Sequence, residues 1–334
     1  MRRAIQPGSA HRPFAGGARR SMAHCRVCGS AKARFAFHRQ GRRYWKCDEC
    51  HSVTADMTAE QYLALAPSYD LGSWIESADL RSARRTLGVE EKIAVLRRHA
   101  PPNCEKIRML DIGCGAGGYL LAAKELGWEA IGVDPSEPHS RIGRSLGLDI
   151  RVAPFNSADC QDAGFDLVML SHVIEHIYDQ RAFVSDVLRV LRPGGVLLMI
   201  TPNAASLASR ISGRFWPMFK PVDHVSMITP SALRFIAPSD ANCRWRTTEY
   251  ESEVLTTFMV AVRDCLRELR RSGSDTAAEP AYGGAPSEAP DLAGRLLRSA
   301  KEKAIALLSW PLHLLAKGLR RQACLVVEIE KARM

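Results

Sequence analysis

LDIGCGAGG, residues 110–118, joins the apolar run IRMLDIG to the helix-forming stretch GGYLLAAKELG. Gly113, Gly115 and Gly118 make a G-x-G-x-x-G fingerprint, with Gly117 inside it, where a strand would turn into a helix. Glycine at such a turn lets backbone N–H groups and a helix N-terminus touch a ligand directly. Taken alone, the fingerprint does not choose among ligands.

Downstream, the short run EAIGVD ends in Asp134, and further strands read from FDLVMLS (165–171) and VLLMITPN (196–203), with the helix DQRAFVSDVLRVLR between them. Strand and helix alternating at this spacing predict an α/β fold, a parallel sheet with helices on both faces. The tail ACLVVEIEKAR switches to period two, with Leu325, Val327 and Ile329 on one side, so it reads as a strand. Residues 58–100 carry Tyr62, Leu63, Leu65, Leu87, Ile93, Val95 and Leu96 at helical spacing and form a helical connector stopped by Pro101 and Pro102. Residues 272–291, SGSDTAAEPAYGGAPSEAPD, have no apolar period and read as a flexible linker. After it, 292–321 reads as one or two cationic amphipathic helices, interrupted at Pro311.

The 334 residues carry a net charge of +10, but its placement matters more than its sum. Residues 1–47 hold 12 Lys+Arg and no carboxylate, leaving 34 basic against 36 acidic for residues 48–334. The body at 48–291 stands at −8. Residues 1–22, rich in Arg, Gly, Pro and Ala, read as a disordered basic extension. In the following segment, 23–57, Cys25 and Cys28 make one Cys-x2-Cys knuckle and Cys47 and Cys50 another, 18 residues apart. That spacing fits a zinc ribbon, with the Phe35/Phe37 and Tyr44/Trp45 stretches as strands between the knuckles. Four thiolates saturate a tetrahedral Zn2+, so the metal is structural rather than catalytic. The other six cysteines are scattered, and with no apolar signal segment the expected compartment is cytoplasmic. No run of 18 apolar residues argues for a transmembrane helix.

Two carboxylates sharpen the ligand. Asp134 lies 19 residues after Gly115, where a carboxylate can accept both hydroxyls of a ribose. Asp111, two residues before the first glycine, suits a cationic sulfonium amino acid better than a pyrophosphate. Together with GVD, FDLVMLSHVIEHI, LRPGG and HVSMITPSAL, the loop makes residues 105–236 resemble class I S-adenosylmethionine-dependent methyltransferases. The similarity is to the small-molecule branch that includes the ubiquinone-biosynthesis O-methyltransferases. A four-cysteine ribbon ahead of such a domain is similar to many bacterial methyltransferases of surface-glycan and lipid clusters.

The resemblance implies a Rossmann-like seven-stranded sheet whose antiparallel last strand would be ACLVVEIEK, paired near WRTTEYES. The methyltransferase domain is then 101–253 plus 322–332, with 254–321 as an insertion. It also implies that Asp111, Gly113 and Gly115, with Gly117 in the same loop, meet the methionine moiety and that Asp134 holds the ribose. Ala153 and Pro154 would flank adenine, and Ser171 and His172 would face the transferable methyl group.

Methyl transfer from a sulfonium is an in-line displacement that needs alignment and dehydration, and a hydroxyl acceptor must also lose its proton. His172, His176 and His224 are the candidate bases. Some relatives use E-x-x-E-H with a later histidine to hold a divalent metal. Here the motif is H-V-I-E-H, and His172, Glu175, His176 and His224 could bind Zn2+ or another transition ion, a ligand set that disfavours Mg2+. The alternative is that Glu175 and His176 orient the loop without metal. The segment 204–221, with Phe215, Trp216, Met218 and Phe219, reads either as a packed lid or as a functional element that admits an acyl or isoprenoid chain or docks on a membrane.

The expected activity is therefore S-adenosylmethionine-dependent methylation of a small-molecule acceptor, at a hydroxyl of a glycan, glycolipid or lipid-like precursor. Peripheral contact of 292–321 with the inner face of a membrane stands beside a core-covering role for the same helices. The second reading is a zinc-ribbon nucleic-acid binder that modifies RNA or acts as a scaffold. The body charge of −8 and the lack of a base-stacking motif argue against nucleic acid. A dinucleotide oxidoreductase is a distant third, and the oligomeric state stays open.

Overall fold

The computed structural model describes residues 24–65, 80–102, 106–160, 164–220, 224–248, 253–271, 311 and 314–333. The 1–22 extension, the 272–291 linker and the 292–310 part of the cationic helices lie outside the described residues.

From the N-terminal side, β1 (Ala33–Arg39) and β2 (Arg42–Cys47) form an antiparallel hairpin, and β3 (Val53–Ala55) pairs with β2. Three helices follow, α1 (Ala59–Leu65), α2 (Leu80–Thr86) and α3 (Val89–His99). The α/β alternation then runs β4 (Arg108–Ile112), α4 (Gly118–Glu125), β5 (Glu129–Asp134), α5 (Glu137–Ser145), β6 (Ile150–Val152), β7 (Phe165–Ser171), α6 (Gln180–Val190) and β8 (Leu191–Pro202). After β8 come α7 (Leu207–Ser212), β9 (Ser226–Met227), α8 (Leu233–Ile236), β10 (Asn242–Thr248), α9 (Glu253–Arg271) and β11 (Cys324–Glu330).

The large sheet has seven strands in the order β10-β11-β8-β7-β4-β5-β6. Five of them, β4 to β8, are parallel, and β11 runs antiparallel between β8 and β10, pairing Thr248 with Cys324 and Cys324 with Pro202. The tail is thus the strand that its period of two predicts, paired with the WRTT part of the expected partner.

Central parallel strands are covered on both faces, so they need apolar side chains at every position rather than every second one. In β7, Val168 and Leu170 enter the core that also holds Leu197, Leu325, Val327 and Ile329. Leu167 and Met169 enter the opposite core, with Leu96, Met109, Leu198 and Val326. Alternate residues serve alternate layers.

The ribbon does not stand apart. Its strand β3 pairs with the two-residue β9 of the α/β body, making a four-stranded sheet β1-β2-β3-β9. A third core binds the two parts, with Tyr44, Val53 and Ala55 from the ribbon against Trp216, Phe219 and Met227. Trp216 is 1% and Phe219 3% exposed, so of the two readings of 204–221 the packed one holds for these side chains.

Candidate functional site

The glycine loop joins β4 to α4 at the C-terminal ends of the parallel strands, where ligands bind in such sheets. Gly113 (φ +70°), Gly115 (φ +53°) and Gly117 (φ +84°) all take left-handed backbone. Two of them show different needs. A Cβ on Gly113 would stand 2.5 Å from Val173 Cγ2, whereas a Cβ on Gly115 would meet nothing within 4 Å. Gly113 therefore permits close packing between loops, and Gly115 borders open space of the kind a ligand fills. Gly117 is the N-cap of α4 and packs against Leu148.

Asp134 ends β5, and its carboxylate accepts hydrogen bonds from the N–H groups of Gly115 and Ser136, both at 2.8 Å. Those bonds lock the carboxylate to the loop. Asp111, inside β4, is 2% exposed. Burial first, and the nearby Asp134 charge second, push its carboxyl up to about 8, against the pull of the Lys92 ammonium. A buried carboxyl destabilised in this way gains from a cationic ligand group, as the aminoacid-sulfonium arm of S-adenosylmethionine provides. Lys92, on α3, is a residue the sequence did not single out. Its Nζ donates to the Leu87 carbonyl at 2.7 Å and lies 5.2 Å from the Tyr119 ring centroid, beside the glycine loop.

Across the loop, β7 ends at Ser171, and His172 follows with φ +56°, an uncommon backbone for a non-glycine residue. The turn Ile174–His176 then presents Glu175, 1% exposed. Its carboxylate meets His172 Nδ1 at 3.2 Å and accepts from Thr201 Oγ1 at 3.1 Å. Burial would raise the Glu175 carboxyl, but the His172 hydrogen bond and the His172, His176 and His224 rings outweigh it and hold it at about 2.

His224 donates from Nδ1 to the Met218 carbonyl at 2.7 Å, which leaves Nε2 as the ring nitrogen with the lone pair. Its ring stands edge-on to His176, centroids 4.7 Å apart. Ligand-capable atoms of Glu175, His176 and His224 lie within 4.8 Å of one another, so this trio can share a proton or hold a metal ion. Of the three candidate bases the structure brings His176 and His224 together. His172, with its side chain 43% exposed, meets Glu175 but is not part of the metal-capable group. Thr201, on β8, is the further member of this cluster that its sequence context, VLLMITPN, did not mark.

In the ribbon, Cys25, Cys28, Cys47 and Cys50 converge. Cys25 Sγ and Cys50 Sγ are 3.6 Å apart, as are those of Cys28 and Cys47. A zinc tetrahedron with bonds of ~2.3 Å needs ~3.8 Å between thiolates, so the four residues fit the ion. The N–H groups of Glu49 and Cys50 point to Cys47 Sγ at 3.3 and 3.5 Å, as knuckle backbones do around a charged sulfur.

A family model described as a methyltransferase domain matches residues 72–244. A ubiquinone biosynthesis O-methyltransferase of Bradyrhizobium is 37% identical over 109 residues, covering 30% of this chain and 42% of the relative. A probable S-adenosylmethionine-dependent methyltransferase of Mycolicibacterium smegmatis is 36% identical over 133 residues, covering 37% of this chain and 51% of the relative. The matched regions thus span about half or less of these relatives' length. A crystal structure of a SAM-dependent methyltransferase from Archaeoglobus fulgidus aligns with TM-score 0.42 at 21% identity, covering 73% of this chain and 94% of that one.

Proposed function

The chain belongs to the methyltransferase domain family, and from that membership we propose that it methylates a hydroxyl of a small acceptor, a glycan, glycolipid or lipid-like biosynthetic precursor, with S-adenosylmethionine as donor. The observation that carries the reading is the meeting of the two halves of the site. Val173 Cγ2 lies only 2.5 Å from where a Gly113 Cβ would be, so the turn bearing His172, Glu175 and His176 abuts the glycine loop. The donor, when bound, supplies an electrophilic sulfonium methyl.

The chain's own residues divide the remaining work. Asp111 would take the ligand's positive charge and Asp134 the ribose hydroxyls, while Gly113, Gly115 and Gly117 would let the backbone approach the methionine arm. Ser171, at the end of β7, would face the transferable methyl group. His224, through Nε2, or the adjacent His176 takes the acceptor proton, and buried Glu175 stabilises the resulting imidazolium. The four cysteines would hold a structural Zn2+, with no ligand position left for the reaction. The name of the Bradyrhizobium relative supports O-methylation.

No helix among the described residues is long and apolar enough to cross a membrane. Exposed Leu314, Leu315 and Leu319 beside exposed Lys317 and Arg320 support peripheral contact with a membrane surface.

Calorimetry with S-adenosylhomocysteine, paired with transfer of labelled methyl into cell extract, tests the assignment. The wild type should bind the nucleoside, and Asp134→Ala should weaken binding roughly 10- to 100-fold. No heat with the wild type would overturn the reading.

A further inference from the structure

We propose that the four-cysteine knuckle positions the acceptor end of the methyl-transfer site, holding His224 and Glu175 through a short relay of hydrogen bonds. The inference rests on the reading that Glu175, His176 and His224 form that end.

The relay starts at Cys50, which is fully buried. Its carbonyl accepts from Thr229 Oγ1 at 2.6 Å and from Ser231 Oγ at 2.9 Å. From Cys50 the chain runs into β3, where Val53 and Thr54 pair with Met227 and Ser226. The Ala55 N–H donates to the Val225 carbonyl at 2.9 Å, and the Val225 N–H donates to the Glu175 carbonyl at 2.8 Å. Gln180 adds a parallel tie, since its Nε2 donates to the carbonyls of Ile174 at 2.7 Å and Ser226 at 3.1 Å. Val225, next to His224, is therefore strung between the ribbon strand and the turn that carries Glu175 and His176.

Strand β9 has two residues and pairs only with β3 in its sheet. Two residues cannot hold a register by themselves, so the ribbon edge sets it together with the Gln180, Glu175 and Ala204 bonds from the body. The ribbon edge is in turn set by convergence of Cys50 with Cys25, Cys28 and Cys47. A metal on those thiolates would fix Cys50, and through it the segment 224–229. Thr229 and Ser231 are positioning residues that act through backbone placement, and a misplacement of ~1 Å is enough to cost ~100-fold in rate at a reacting centre.

Amide hydrogen exchange on the full chain, read at 224–229 and 174–176, tests this without an identified acceptor. Thr229→Val with Ser231→Ala removes both hydroxyls from the Cys50 carbonyl and leaves the thiolates untouched. Zinc content and S-adenosylhomocysteine affinity should stay within about twofold, while exchange at the Val225–Met227 amides should quicken about tenfold. Thr229→Ser alone, which keeps the hydroxyl, should exchange at the native rate. Wild type stripped of metal by a chelator should quicken at the same amides and recover on reloading. Native protection in the double variant would overturn the proposal, and so would protection at Val225 that does not follow zinc content, a measurement that decides even where the double variant fails to fold. The underlying reading fails differently, through His224→Gln and His176→Gln variants that retain full labelled-methyl transfer.

Discussion

Asp111 is a carboxyl placed where it cannot easily be charged. It is buried, lies near Asp134, and titrates at about 8. At neutral pH the ligand-free protein therefore holds it mostly protonated, and a cationic ligand must draw the proton off to gain its ion pair. The sign follows directly. Below pH 8 binding releases a proton, so affinity rises with pH. S-adenosylhomocysteine, whose amino group is cationic in this range, should bind at least about tenfold more tightly at pH 8 than at pH 6. Asp111→Asn should flatten that slope, as calorimetry across the pH series would show. A slope shared by both proteins would assign the titration elsewhere. For folding the same shift has the opposite sign. The unfolded carboxyl ionises near 3.9, so this group's contribution is fully present below that value and is lost as pH rises through about 8.

Elements were legible to different degrees, for physical reasons. The tail β11 shows in the sequence because Leu325, Val327 and Ile329 keep period two, although its other face is buried too, at Cys324 and Val326. The glycine loop shows because its backbone restricts the residue type. Strand β9 does not show, since two residues carry no period, and Lys92 does not because its place beside the loop depends on how α3 packs. A second hidden tie links α3 to the sheet. His99 is buried, with Nδ1 bonded to Glu328 on β11 and Nε2 facing the Arg246 guanidinium on β10 at 3.1 Å. Arginine can only donate, so the ring is neutral with its proton on Nδ1. Burial, with help from Arg246 and Arg98, lowers the His99 value, while Glu328 opposes. A His lowered on folding contributes stability that is present above its unfolded value, near 6.5, and is lost as pH falls through the folded value. Urea unfolding should therefore show wild type losing up to about 1 kcal/mol more than His99→Gln between pH 7.5 and 5.5. Equal losses would show that this link does not titrate.

At the scale of the whole molecule, the question is whether ribbon and α/β body melt as one unit. Cysteine spacing suggests a separate module, because small ribbons are held by their metal rather than by a core. The packing says otherwise. Tyr44 from β2 is fully buried against Phe219, ring centroids 5.5 Å apart, and Trp216 meets Phe219 edge-on at 5.1 Å. The Arg26 guanidinium in the first knuckle lies 4.2 Å from the Tyr178 ring centroid and donates to the Met57 carbonyl at 2.8 Å. Contacts of this kind couple two units only if breaking them costs both. Trp216→Ala removes a large side chain from the shared core, a change worth about 3–5 kcal/mol. For a chain of this size that should lower Tm by roughly 10 °C. Calorimetry on the zinc-loaded protein should show a single transition that moves as a whole in the variant. A variant that splits into a shifted ribbon transition and an unshifted body transition would refute the coupling, because the Trp216 side chain would then support only one of the two parts it touches.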